Sequence, residues 1–103
     1  EGFYRKSCTS IDGGLTWSSP QISIDQIDCK CQGSILSIGG AVFLSNAASA
    51  TERINMTIKK STDNGKNWKG QYTVYEGNSG YSDIVELSDS QIAIIYEGGE
   101  KRS

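Results

Sequence analysis

Between residues 52 and 60, Ile54, Met56 and Ile58 alternate with Arg53, Asn55, Thr57 and Lys59. A period of two belongs to an extended chain with one face on a core and the other toward polar surroundings, so this stretch predicts an antiparallel strand. Residues 3–9, 34–38, 41–45, 72–75, 83–87 and 92–96 read as further strands, with a turn at Ser88-Asp89-Ser90. Clusters of Gly, Asn, Asp and Ser separate these runs, and 12 glycines stand against one proline. That is the punctuation of many short strands, and no span sustains a helical period. The pattern predicts an all-β chain.

A longer period is laid over the short one. Ser10-Ile11-Asp12-Gly13-Gly14-Leu15-Thr16-Trp17 and Ser61-Thr62-Asp63-Asn64-Gly65-Lys66-Asn67-Trp68 match one template, S-x-D-x-G-x-x-W, and start 51 residues apart. The residue types suit a tight hairpin: the Asp carboxylate accepts bonds from turn amides, Gly takes a positive φ, and Trp folds back over the strands. A repeat of this order, with four strands per unit, is the signature of β-propeller blades. The expected architecture is antiparallel four-stranded blades, about two of them in this chain.

Composition narrows the chemistry. A chain of 103 residues has room for one modest domain with a limited core. Ten basic and 12 acidic residues give a formal charge of -2, which offers no footprint for nucleic acid and no basic patch for an anionic membrane. No apolar run approaches the roughly 20 residues of a membrane-spanning helix. The chain opens at Glu1 in a strand-like pattern without methionine, and reads as an internal excerpt of a longer protein. It has no histidine, which removes Ser-His-Asp and Cys-His catalysis from this stretch and leaves carboxylates, tyrosine and arginine. Cys8, Cys29 and Cys31 form an odd set. Cys29 and Cys31 project to the same side of an extended segment but do not supply four ligands, so they read as small, partly buried thiols. No metal and no cofactor are expected.

The repeat resembles the Asp box of sialidases and several other propeller families. Gly80-Tyr81-Ser82-Asp83-Ile84, followed by Ile94-Ile95-Tyr96-Glu97, resembles the G/A-Y-S-x-L … L-Y-E pattern of exo-α-sialidases. The resemblance implies a six-bladed propeller, with residues 1–28 ending one blade, 29–77 forming a full blade and 78–103 supplying inner strands of the next. It also implies that the boxes lie on the outer rim, so Asp12, Gly14, Trp17, Asp63, Gly65 and Trp68 are expected to be structural.

By the same resemblance Tyr81 is the nucleophile. Sialic acid carries a carboxylate on its anomeric carbon, and an ionised Asp or Glu approaching it would meet like-charge repulsion that a neutral phenol avoids. Arg53, in the stretch Ser45–Ile58, resembles the last member of the family's substrate-binding arginine triad; its planar fork suits a carboxylate. Glu97 is expected to brace another arginine of that triad without touching substrate. Arg5 reads as a strand residue, and Asn55-Met56-Thr57 as a chance match to a glycosylation sequon. Gln32-Gly33-Ser34 resembles a family loop near the pocket, with no role assigned. The aspartate general acid, the glutamate that deprotonates tyrosine and two further arginines match nothing in this chain.

The function these readings imply is retaining hydrolysis of terminal α-linked sialic acids from sialylated glycans, with trans-sialidase chemistry served by the same residues. The isolated chain is expected to be inactive and to need the remainder of a propeller or copies of itself. The alternative is a non-catalytic Asp-box propeller acting as a receptor or carbohydrate-binding module.

Overall fold

The computed structural model describes residues 4–88 and 90–99. Phe3 of the first expected strand and Asp89 of the expected turn lie outside the described residues. Seven strands run in order: β1 (Tyr4–Ser7), β2 (Gln21–Ile27), β3 (Ser34–Ile38), β4 (Ala41–Ala47), β5 (Ile54–Ser61), β6 (Gly70–Ser88) and β7 (Gln91–Gly98). β1 and β2 form a hairpin, and β3 to β7 form an antiparallel meander in which each strand pairs with the next. The chain is all-β among its described residues, as the short period predicts.

Two strands depart from the expected boundaries. β2 was not expected, although Ile22-Ser23-Ile24-Asp25 carries a faint alternation. The expected strands at 72–75 and 83–87 are parts of a single 19-residue strand, β6. Its first half pairs with β5 as far as Asn78, and its second half pairs with β7 from Ser79 onward. Changing partner at one point lets the strand leave one sheet and start another, and this curls the meander so that β6 also approaches β3 and β4.

The buried set is more polar than apolar. Cys31, Ala47, Met56 and Ile84 are the buried hydrophobic residues among those described, beside Gln26, Ser45, Asn46, Thr57, Lys59, Ser61, Ser79 and Ser82. Buried polar groups demand partners, and several of these bond between strands. Ser45 Oγ lies 2.8 Å from Ser82 Oγ, and the Asn46 amide donates to the Ile27 carbonyl at 2.8 Å. Lys59 Nζ donates to the Asp25 carbonyl at 2.5 Å, while burial lowers the Lys59 pKa against a smaller opposing pull from Asp25.

These contacts correct the expected facing of β5. Met56 is buried, but so are Thr57 and Lys59, which the alternation assigns to the polar face. β5 is an interior strand whose Lys59 reaches β2, and its register shifts at both Ile54/Met56 and Met56/Thr57. Asn55, with φ 63°, sits at this bulge. A bulge adds a residue to one strand and breaks strict alternation.

The two repeats fold alike, one between β1 and β2 and the other between β5 and β6. Asp12 Oδ1 accepts from the amides of Leu15 and Thr16 at 3.1 and 2.9 Å, and Asp63 Oδ1 accepts from the Asn67 amide at 2.8 Å. The serine that opens each box donates to its Asp and accepts from the amide of Gly14 or Gly65. Gly14 and Gly65 have φ of 97° and 85°, which costs a glycine nothing sterically. Trp17 packs less than the motif predicts: it is 61% exposed, with its indole N–H donated to the Gly14 carbonyl at 3.2 Å. Trp68 is half-buried, and its amide donates to Asp25 Oδ2 at 3.2 Å.

Candidate functional site

The point where β6 changes partner is also where three of the expected site residues meet. Arg53 immediately precedes β5, Tyr81 lies just beyond the exchange on β6, and Glu97 stands near the end of β7. The Arg53 backbone is tied to β6 two residues before Tyr81, since the Ser79 amide donates to the Arg53 carbonyl at 2.8 Å. The Arg53 guanidinium carbon is 5.7 Å from the centroid of the Tyr81 ring, within the range of a cation–π contact. Tyr81 is 44% exposed and Arg53 is exposed, so both side chains are open to a ligand.

Glu97 reaches the same point from the neighbouring strand. Its Oε1 accepts from the Tyr81 amide at 3.2 Å. Gly80 makes room for this approach, because a Cβ there would lie 2.6 Å from Glu97 Oε1. A carboxylate thus holds the backbone of the tyrosine while an arginine lies over its ring. This arrangement places a phenol and a fixed positive charge on one exposed surface, where an anionic ligand could reach both.

The strand behind Tyr81 is pinned from the other side. Ser34 Oγ donates to Asp83 Oδ1 at 2.9 Å and accepts from the Ile84 amide at 3.2 Å, and Ser82 is buried against Ser45. Alternation along β6 therefore turns Ser82 and Ile84 inward and Tyr81 outward. The Gln32-Gly33-Ser34 loop, which the sequence left without a role, supplies this brace. Nothing in the local pattern announces it, because Ser34 and Asp83 are 49 residues apart. Asn55, whose backbone is left-handed, lies two residues from Arg53 at the bulge where the β5–β6 register shifts.

Other candidates are elsewhere or otherwise engaged. Arg5 lies in β1, as expected of a strand residue, and is bonded to Asp28 at 3.1 Å and to the Cys31 carbonyl. The Asp12 and Asp63 carboxylates are bonded within their own turns. Hydrogen bonds from the Thr16 side chain first, then its amide and Ser10, hold Asp12 down at about 2 from 3.8, and the corresponding bonds from Asn67 and Ser61 do the same for Asp63. Among the described residues no group of three or more His, Cys, Asp and Glu side chains is placed to hold a metal ion.

Comparison with known proteins gives a consistent picture. Residues 2–94 match the model of the BNR repeat-like domain. The chain is 33% identical over 106 residues to a sialidase of Micromonospora viridifaciens, covering 93% of this chain and 16% of that protein. It is 31% identical over 107 residues to a sialidase of Vibrio cholerae serotype O1, covering 90% and 14%. The solved structure of the Hadza microbial sialidase Hz136 superposes with a TM-score of 0.81 at 26% identity, covering 93% of this chain and 21% of that one. The chain therefore spans less than a quarter of each of these relatives, and its curled antiparallel sheet resembles part of a β-propeller.

Proposed function

The chain belongs to the BNR-repeat family, and on that premise we propose that it is part of the catalytic domain of an exo-α-sialidase. The observation that carries this reading is the meeting of Arg53, Tyr81 and Glu97 where β6 changes partner. In this reading β3, β4, β5 and the first half of β6 make one blade of a six-bladed propeller, and the second half of β6 with β7 begins the next. β1 and β2 end the preceding blade.

Arg53 binds the substrate carboxylate through its guanidinium fork. Because that carboxylate is attached to the anomeric carbon, clamping it beside the Tyr81 ring brings the anomeric carbon to the phenol. The Tyr81 oxygen gives its proton to a base outside this chain and forms a bond to that carbon as the bond to the aglycone oxygen breaks, and the departing oxygen takes a proton from an acid outside this chain. Water then attacks the same carbon and gives a proton to the acid left deprotonated in the first step, while the departing Tyr81 oxygen recovers its proton from the base, which regenerates the enzyme with net retention. Glu97 fixes the backbone of Tyr81 and is a positioning residue. No cofactor takes part in this scheme.

The test is to incubate the full-length protein containing this chain with a fluorinated sialic acid that traps a covalent intermediate, and to map the adduct by peptide mass spectrometry. An adduct on Tyr81 is expected. A folded, complete protein that binds sialosides but gives no adduct would overturn the reading in favour of a non-catalytic carbohydrate-binding propeller.

A further inference from the structure

The segment between β2 and β3 places two thiols together that the reaction does not use. Cys29 Sγ and Cys31 Sγ are 3.0 Å apart, against the roughly 2.05 Å of a disulfide bond. Lys30 between them has φ 69°, a left-handed conformation that a lysine adopts at some cost and that holds the two side chains in apposition. The segment is anchored on both sides. Asp28 Oδ2 accepts from the Lys30 amide at 3.1 Å, Asp28 Oδ1 is paired with Arg5 at 3.1 Å, and the Cys31 carbonyl accepts from Arg5. The pair therefore meets a disulfide's requirement for closely placed sulfurs while the surrounding bonds hold the backbone.

We propose that Cys29 and Cys31 are a modification site: a dithiol that small-molecule disulfides convert to an intrachain Cys29–Cys31 bond. Cys29 is half-buried and Cys31 buried, so Cys29 is the sulfur an oxidant meets. As the thiolate, Cys29 Sγ attacks one sulfur of the oxidant and expels the other. Cys31 Sγ then attacks the Cys29 sulfur of the mixed disulfide and expels the second. One disulfide forms in the protein and one is lost from the oxidant. Two electrons pass to the oxidant, and the two thiol protons end on the released thiols. Burial first, then the hydrogen bond to Cys31, pushes the Cys29 thiol up to about 12, so closure at neutral pH is slow and quickens as pH rises.

The site is linked to the strand bearing Tyr81. Cys31 lies three residues before Ser34, whose hydroxyl holds Asp83 and the Ile84 amide. Drawing the sulfurs together pulls on this short segment, so the Ile84 amide should report the change.

The experiment equilibrates the full-length protein in oxidised and reduced glutathione at a series of ratios, blocks free thiols with a maleimide, and analyses peptides. The peptide bearing Cys29 and Cys31 should lose both labels together and weigh two hydrogens less, while exposed Cys8 is labelled or glutathionylated singly. Hydrogen exchange at Ile84 should differ between the oxidised and reduced protein. In Cys29→Ser the paired loss should vanish, leaving Cys31 labelled once the protein is unfolded. Two labels persisting at the most oxidising ratio, a glutathione on each thiol, or a bond from Cys8 would each overturn the proposal. This readout does not depend on sialoside turnover, so its failure is distinct from failure of the catalytic reading.

Discussion

The proposed scheme gives Tyr81, Arg53 and Glu97 different jobs, and substitutions should separate them. In the full-length protein, Tyr81→Phe would remove the oxygen proposed to attack and little else, so sialoside turnover should fall about a thousandfold with sialoside binding retained. Arg53→Lys keeps the charge but loses the planar fork, and kcat/KM should drop roughly ten- to a hundredfold, mainly through KM. Gly80→Ala tests the positioning role: its Cβ would stand 2.6 Å from Glu97 Oε1, so the carboxylate must leave the Tyr81 amide. Steady-state kinetics should show a lower kcat with an unchanged melting temperature; unaltered kinetics would remove Glu97 from the scheme. At Asn55, φ 63° predicts that Asn55→Gly is tolerated while Asn55→Val costs about 1–3 kcal/mol, measurable by denaturant unfolding.

Among the elements, the Asp-box hairpins concentrate local hydrogen bonds at the ends of strands. Ser61 is buried, donates to Asp63 and accepts from the amides of Asp63 and Gly65. Ser61→Ala leaves those amides without this acceptor, and should cost about 1–3 kcal/mol in denaturant unfolding of the full-length protein. Asp63 gives the hairpin a pH dependence. Its folded pKa is depressed to about 2 from 3.8, so its contribution is present above the ordinary carboxylate range and is lost as pH falls through that interval. Asp63→Asn should lower the melting temperature at neutral pH and converge with the parent protein near pH 2. A constant offset at both pH values would remove the carboxylate's charge from the explanation.

At the scale of the molecule, the strands bury few apolar side chains and leave others outward. On the β6–β7 hairpin Val85, Leu87 and Ile95 are exposed, Ile95 to 77%. A blade covers such faces with its neighbours, and repeat units rely on those interfaces for stability. The 103-residue chain expressed alone should therefore self-associate and show no sialoside turnover. Light scattering and a fluorogenic sialoside assay check this, and turnover by a monomer would contradict it.

Strand identity was written locally. Period-two runs marked β3, β4, β5 and β7, and the paired boxes marked the hairpins, because alternation and turn chemistry act between residues near in sequence. The motif around Tyr81 was legible through its resemblance to the sialidase pattern. The continuity of β6, the burial of Thr57 and Lys59 and the brace from Ser34 to Asp83 were not, since each depends on groups brought from distant parts of the chain. β2 sits between these cases: its alternation is faint, and pairing with β1 decides it. The sequence alone determined which segments are extended and which residues could act. Only the tertiary structure decided that Arg53 lies over Tyr81, that Gly80 admits Glu97 and that Cys29 faces Cys31, because side-chain distances follow from packing and strand exchange.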